Sequence, residues 1–192
     1  MRRRKRRFVL CAMITIIVSL FVNATLAYFT TENRARNVIT TGSIQVDLIE
    51  EVAGGDRYPT EPQKIMPGSE VSKIAYLKAG DESQPAYVRM KYVITIEVGG
   101  QVMEHTQEEL AEIITIAPAS DNWEKGADGW YYYNTAIAAG ATTDPLFEEV
   151  TFSGANMDNR YQNATITIDV LAQAVQTAHN GETALDAAGW PE

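Results

Sequence analysis

Ala86-Tyr87-Val88-Arg89-Met90-Lys91-Tyr92-Val93-Ile94-Thr95-Ile96-Glu97-Val98 is the stretch that decides the fold. Ala86, Val88, Met90, Tyr92, Ile94, Ile96 and Val98 put an apolar group at every second position. Tyr87, Arg89, Lys91, Val93, Thr95 and Glu97 fill the other face. Successive side chains of a strand point to opposite faces, so this spacing predicts a half-buried strand. Met90, Tyr92, Ile94 and Ile96 are expected inward, and Arg89, Lys91 and Glu97 outward.

The same period recurs on either side. Ile44, Val46 and Leu48 alternate with Gln45 and Asp47, and Ile166, Ile168 and Val170 alternate with Thr165, Thr167 and Asp169. Shorter β-rich runs lie at Val71–Leu77, Trp130–Ile137 and Phe147–Phe152. Turn clusters separate them: Gly54-Gly55-Asp56, Pro67-Gly68, Gly99-Gly100, residues 126–129 and residues 154–159. Strands punctuated in this way predict an all-β, antiparallel β-sandwich. Thr106-Gln107-Glu108-Glu109 has the form of a capping box, followed by Leu110, Ile113 and Ile114 at helical spacing. A second short helical turn is expected from Thr183 to Ala188, stopped by Gly189 and Pro191. There is no alternation of strand and helix, which argues against a parallel α/β sheet.

The chain opens with Arg2, Arg3, Arg4, Lys5, Arg6 and Arg7, then the uncharged run Phe8–Val22, then Thr25-Leu26-Ala27. A basic end, a greasy run and small residues at −3 and −1 form a secretory signal pattern, with cleavage expected between Ala27 and Tyr28. An uncleaved anchor is the competing reading, since Phe8–Ala27 approaches the ~20 residues that a spanning helix needs. On either reading the basic end stays inside and the rest crosses. The organisation that follows is a signal peptide over 1–27, a polar arm over 28–41 and a sandwich over 42–192.

After Ala27 there are ten Lys and Arg against twenty-five Asp and Glu, a formal charge of −15. So acidic a surface argues against nucleic acid as a partner, because phosphate recognition needs a basic footprint. Cys11 is the sole cysteine and lies in the signal, so no disulfide supports the exported part.

Catalytic chemistry finds little to use. His105 and His179 are far apart and fit no HExxH pattern, and no serine stands in a GxSxG context. No cofactor or metal is expected. Glu50-Glu51, Glu108-Glu109 and Glu148-Glu149 read as solvated faces rather than paired catalytic carboxylates, and residues 156–159 lack the spacing of a calcium loop. Trp130, Tyr131, Tyr132 and Tyr133 form the densest aromatic group. It suits either a strand with alternately buried rings or a face on which a glycan stacks.

Laid end to end, several segments resemble the TasA/camelysin family of secreted proteins from Gram-positive bacteria. They are residues 25–31 (TLAYFTT), 41–48 (TGSIQVDL), 65–71 (IMPGSEV), 86–90 (AYVRM), 128–133 (DGWYYY), 142–147 (TTDPLF) and the ending from residues 173–176 (QAVQ) to 187–190 (AAGW). The resemblance implies a jelly-roll-like sandwich and export through a SipW-type signal peptidase. It also implies a structural role in extracellular biofilm-matrix fibres, with the protein itself or a related subunit as partner. In such fibres an N-terminal segment completes a sheet of the next subunit. Tyr28–Thr41 is then the donor, with Phe29, Val38 and Ile39 as apolar anchors. A monomeric secreted or surface module that binds glycans through Trp130–Tyr133 is the alternative, and a metalloprotease a more distant one.

Overall fold

The computed structural model describes residues 44–60 and 65–191. The expected signal, its cleavage point Ala27/Tyr28 and the arm with Phe29, Val38 and Ile39 lie outside the described residues.

The fold is an all-β sandwich of two antiparallel sheets. Chain order is β1 (Val46–Glu51), β2 (Glu70–Ala79), β3 (Ala86–Val98), β4 (Gln101–Val102), α1 (Gln107–Ile113), β5 (Ile114–Thr115), β6 (Trp123–Lys125), β7 (Tyr131–Tyr133), β8 (Phe147–Phe152) and β9 (Thr165–Gln176). One sheet runs β1-β2-β8-β5. In the other, β3 is the spine. β9 pairs with it over its full length, from Ala86↔Gln176 to Glu97↔Thr165, while β7 and β4 share its opposite edge and β6 follows β7.

β3 behaves as its period dictates. Ala86, Val88, Met90 and Ile96 are fully buried, and Tyr92 and Ile94 pack half-buried against the same core. The hairpin to β4 turns on Gly99 and Gly100, whose φ angles of 61° and 78° are the left-handed pair that a two-residue turn between twisted strands requires. The first sheet supplies Val46, Ala75, Leu77, Phe147, Val150 and Phe152 to the core. The β2/β8 register slips between Ser72 and Ala75, and across this slip Phe147 and Val150, three apart, both reach the interior. Burying a side chain the size of Phe147 contributes roughly 1.5–3 kcal/mol.

The capping box forms as expected. Glu109 N–H donates to Thr106 Oγ1 at 3.2 Å, and Thr106 N–H donates to Glu109 Oε2 at 2.8 Å. The second helical turn does not become a helix. Thr183–Asp186 is a hydrogen-bonded turn, closed by Asp186 N–H on Thr183 Oγ1, within a C-terminal strap over residues 177–191.

Candidate functional site

Two features stand out: sheet edges that the described residues leave open, and a buried arginine under the C-terminal strap. Ala119 N–H donates to Leu146 O and Trp123 Nε1 to Asp144 O, which draws β6 beneath the β8 end of the first sheet. β1 and β9 are left as the opposite edges. The outer edge of β1 is partly closed by its own return: Tyr58 N–H donates to Glu50 O, and Arg57 bridges Glu51. Beside it Lys73, 4% exposed, pairs with Glu50 at 2.5 Å and lies 3.9 Å over the Tyr58 ring. Burial, and then the charge of Glu50, raise the pKa of the Tyr58 hydroxyl above its ordinary value.

β9 has no partner on its outer edge among the described residues. At ~3.4 Å per residue, its twelve residues extend ~40 Å. Val170, Ala172 and Ala174 are buried, whereas Ile166 and Ile168 pack only half-buried against the core.

Arg89 lies on the outward face of β3, as its parity requires, yet it is only 8% exposed. Its outward placement is as expected, and the strap that covers this end of the sheet encloses it. Arg89 Nε and Nη2 donate to Gln173 Oε1 at 2.8 and 2.6 Å, and Nη1 donates to Tyr132 Oη at 2.9 Å and Asp128 Oδ2 at 3.2 Å. Its guanidinium sits 4.5 Å from the Trp130 ring centre and 4.6 Å from that of Trp190. Gln173 Nε2 donates to Pro191 O, and Tyr87 Oη donates to the carbonyls of Gly181 and Glu182, so the strap is tied at both ends. Ala184 and Ala187 fill the space over Tyr87, Tyr132 and Val175. The strap doubles back so tightly that a Cβ at Gly181 would lie 2.7 Å from the Asp186 backbone. The indole N–H of Trp190 has no partner among the described residues, so its ring faces hold it rather than a bond.

Partial burial acts to raise the pKa of Asp128. Bonds from Tyr132 Oη and Trp130 N–H and the Arg89 charge outweigh it, and hold the carboxyl below the usual range. Asp144 is likewise held low, by bonds from Asn122 and Ser120.

The aromatic run therefore divides. Tyr131 and Tyr133 point into the sandwich core, Tyr132 lies beneath the strap, and Trp130 stacks on Arg89. All three tyrosines are at least nine-tenths buried, which leaves no exposed row of rings for a sugar to stack on. A cleft of about 360 Å³ opens beside them, lined by Glu124, Tyr132, Tyr133, Asn134, Thr183, Ala184 and Leu185. Its walls mix one carboxylate, an amide, hydroxyls and aliphatic groups.

His105 bonds Met103 O and Tyr161 Oη, while His179 belongs to the strap. Asp158 caps the 3₁₀ turn Asn159–Tyr161 and pairs with Arg160 at 3.0 Å. Among the described residues no group of three His, Cys, Asp or Glu side chains is placed to hold a metal ion. Sequence reading gave Gln173 and Trp190 only as part of the family-like ending and assigned neither a structural role, since an isolated amide and an Ala-rich tail carry no periodic signal. No protein-family model and no curated protein matches the sequence.

Proposed function

We propose that this protein is a secreted structural subunit that assembles with copies of itself into extracellular matrix fibres by adding β-strands to open sheet edges. The observation that carries the reading is the pair of edges that no strand among the described residues completes: the first residues of β1, and β9 up to Gln176, whose carbonyl accepts from Asn180 Nδ2. An exposed edge is a row of backbone donors and acceptors awaiting a strand. Strand addition supplies directional hydrogen bonds, and a head-to-tail contact that does not close yields a filament.

The donor is the arm Tyr28–Thr41, freed when the signal is removed, with Phe29, Val38 and Ile39 as its anchors. Glu32, Arg34 and Arg36 give that arm a small positive charge against an exported chain of formal charge −15, which favours arm-to-body contact. The resemblance to TasA/camelysin segments supports the same role. Burial of Tyr131, Tyr132 and Tyr133 weighs against the glycan-binding alternative.

Electron microscopy and sedimentation of purified protein beginning at Tyr28 or at Gly42 test the reading. The first is expected to give concentration-dependent fibres, the second a folded protein without them. Equal fibre yield from both overturns the donor role of the arm. The absence of any assembly by the Tyr28 form overturns the structural reading.

A further inference from the structure

The two long edges of the sandwich differ in how they are defended. β1 is six residues long, is partly covered by its own return through Arg57 and Tyr58, and carries the inward Lys73–Glu50 pair beside it. Short length, covering and inward-pointing charge are the devices by which edges resist pairing. β9 is twelve residues long, contains no Lys or Pro, and has Asp169 as its one charge. In so acidic a chain, this is the edge that is left able to pair among the described residues.

Its backbone directions can be read from β3. Ala86 exchanges both hydrogen bonds with Ile137, and Ile96 O accepts from Met103 N–H, so even-numbered residues of β3 turn their polar groups away from β9. The ladder to β9 is therefore made by the odd-numbered residues, such as Arg89 with Gln173 and Lys91 with Leu171. On β9 it follows that Ile166, Ile168, Val170, Ala172 and Ala174 present N–H and C=O to the open edge. The same five residues face the core, and they grade from large to small along the strand.

We propose that β9 pairs edge to edge with β9 of a second copy of this chain, antiparallel about a two-fold axis through Val170. In that register Ile166 meets Ala174 of the second copy, Ile168 meets Ala172, and Val170 meets itself, so each bulky residue faces a small one. Each of these pairs exchanges two hydrogen bonds. On the outer face Asp169 meets Leu171 rather than the other Asp169, which avoids like charges directly opposed. A two-fold contact of this kind is self-complementary and joins the two five-stranded sheets into one. It rests on the reading of the protein as a self-assembling subunit, and it leaves for the arm the first half of β1, which no strand among the described residues covers.

Asp169 and Leu171 of facing copies fall at closely spaced, non-hydrogen-bonded positions, ~4.5 Å between Cα atoms, within the span of a disulfide. The exported chain has no cysteine of its own. The double variant Asp169→Cys/Leu171→Cys, secreted and mildly oxidised, is expected to give a covalent dimer on a non-reducing gel. Peptide mass mapping should show position 169 of one copy joined to 171 of the other. Adding Ala172→Pro removes an outward-pointing N–H, leaves the ladder to β3 intact, and is expected to abolish the crosslink with the circular-dichroism spectrum retained.

Fibres from the double variant without the 169–171 link overturn this pairing and leave the fibre reading standing. A link that survives Ala172→Pro reports random collision and also overturns it. So does a link captured instead by a cysteine placed at Phe29, because the arm then occupies the edge. A parent protein that stays monomeric at every concentration overturns both readings.

Discussion

Replacing Arg89 with alanine is the sharpest test of how the outer face of the β3/β9 sheet is held. The substitution removes two bonds to Gln173, one to Tyr132 and one to Asp128, and it empties the space between the rings of Trp130 and Trp190. Two cation–π contacts contribute about 0.5–1 kcal/mol each. The two bonds to the neutral Gln173 amide contribute about 1 kcal/mol each. Asp128, with 45% of its side chain exposed, regains water when its partner leaves, so its pairing adds little. The expected loss is about 3 kcal/mol, or roughly 10 °C in melting temperature for a domain of this size. Trp fluorescence should report release of Trp190 at the same time. Lys91→Ala, two residues along on the same face, is expected to cost no more than ~0.5 kcal/mol. Arg89→Lys should not rescue, because an ammonium cannot present the flat fork that bonds Gln173 while stacked between two indoles. Equal melting temperatures for Arg89→Ala and Lys91→Ala would refute the clasp.

Phe147→Ala, at a side chain with no exposed surface, should cost about 3–5 kcal/mol in denaturant titration, whereas Glu97→Lys should stay within ~0.5 kcal/mol. Lys73→Ala strands the half-buried Glu50 and should lower the melting temperature clearly, while the double variant Lys73→Met/Glu50→Gln should recover most of that loss. Asp128 and Asp144 titrate lower in the folded than in the unfolded chain. Their stabilisation is therefore complete above the ordinary Asp value of 3.8 and is lost as pH falls through their folded values. Melting temperature should fall on acidification below about pH 4, and Asp144→Asn should flatten that fall while lowering the neutral-pH value.

Where one face of a segment meets core and the other water, the sequence was readable. Ala86–Val98 and Phe147–Phe152 came out with the bounds their patterns imply. β9 was legible only over 165–170, because Leu171 and Val175 place apolar groups on the outer face as well. That breach of alternation has a physical cause at Val175, which packs under the strap with Ala184 and Ala187. β4, β5 and β6, at two or three residues each, are too short for a period to register. Arg89 was placed on the correct face, but its burial is imposed from residues about ninety positions downstream. The outward direction of the β9 amides needed the register of β3, which no local pattern encodes.

Because β9 is the partner that β3 meets along its whole length, the second sheet has a deadline set by the ribosome. Ala86 waits for Gln176, and Tyr87 waits for Gly181 and Glu182, and no earlier segment among the described residues closes that side of the spine. Pairings this distant along the chain form slowly, and the waiting strand is itself an open template. A chain cut short before residue 165 would carry the thirteen residues of β3 without the strand that pairs along it. Synthesis through Gln176 is thus what lets β9 cover β3, and the edge then shown among the described residues is that of β9 instead.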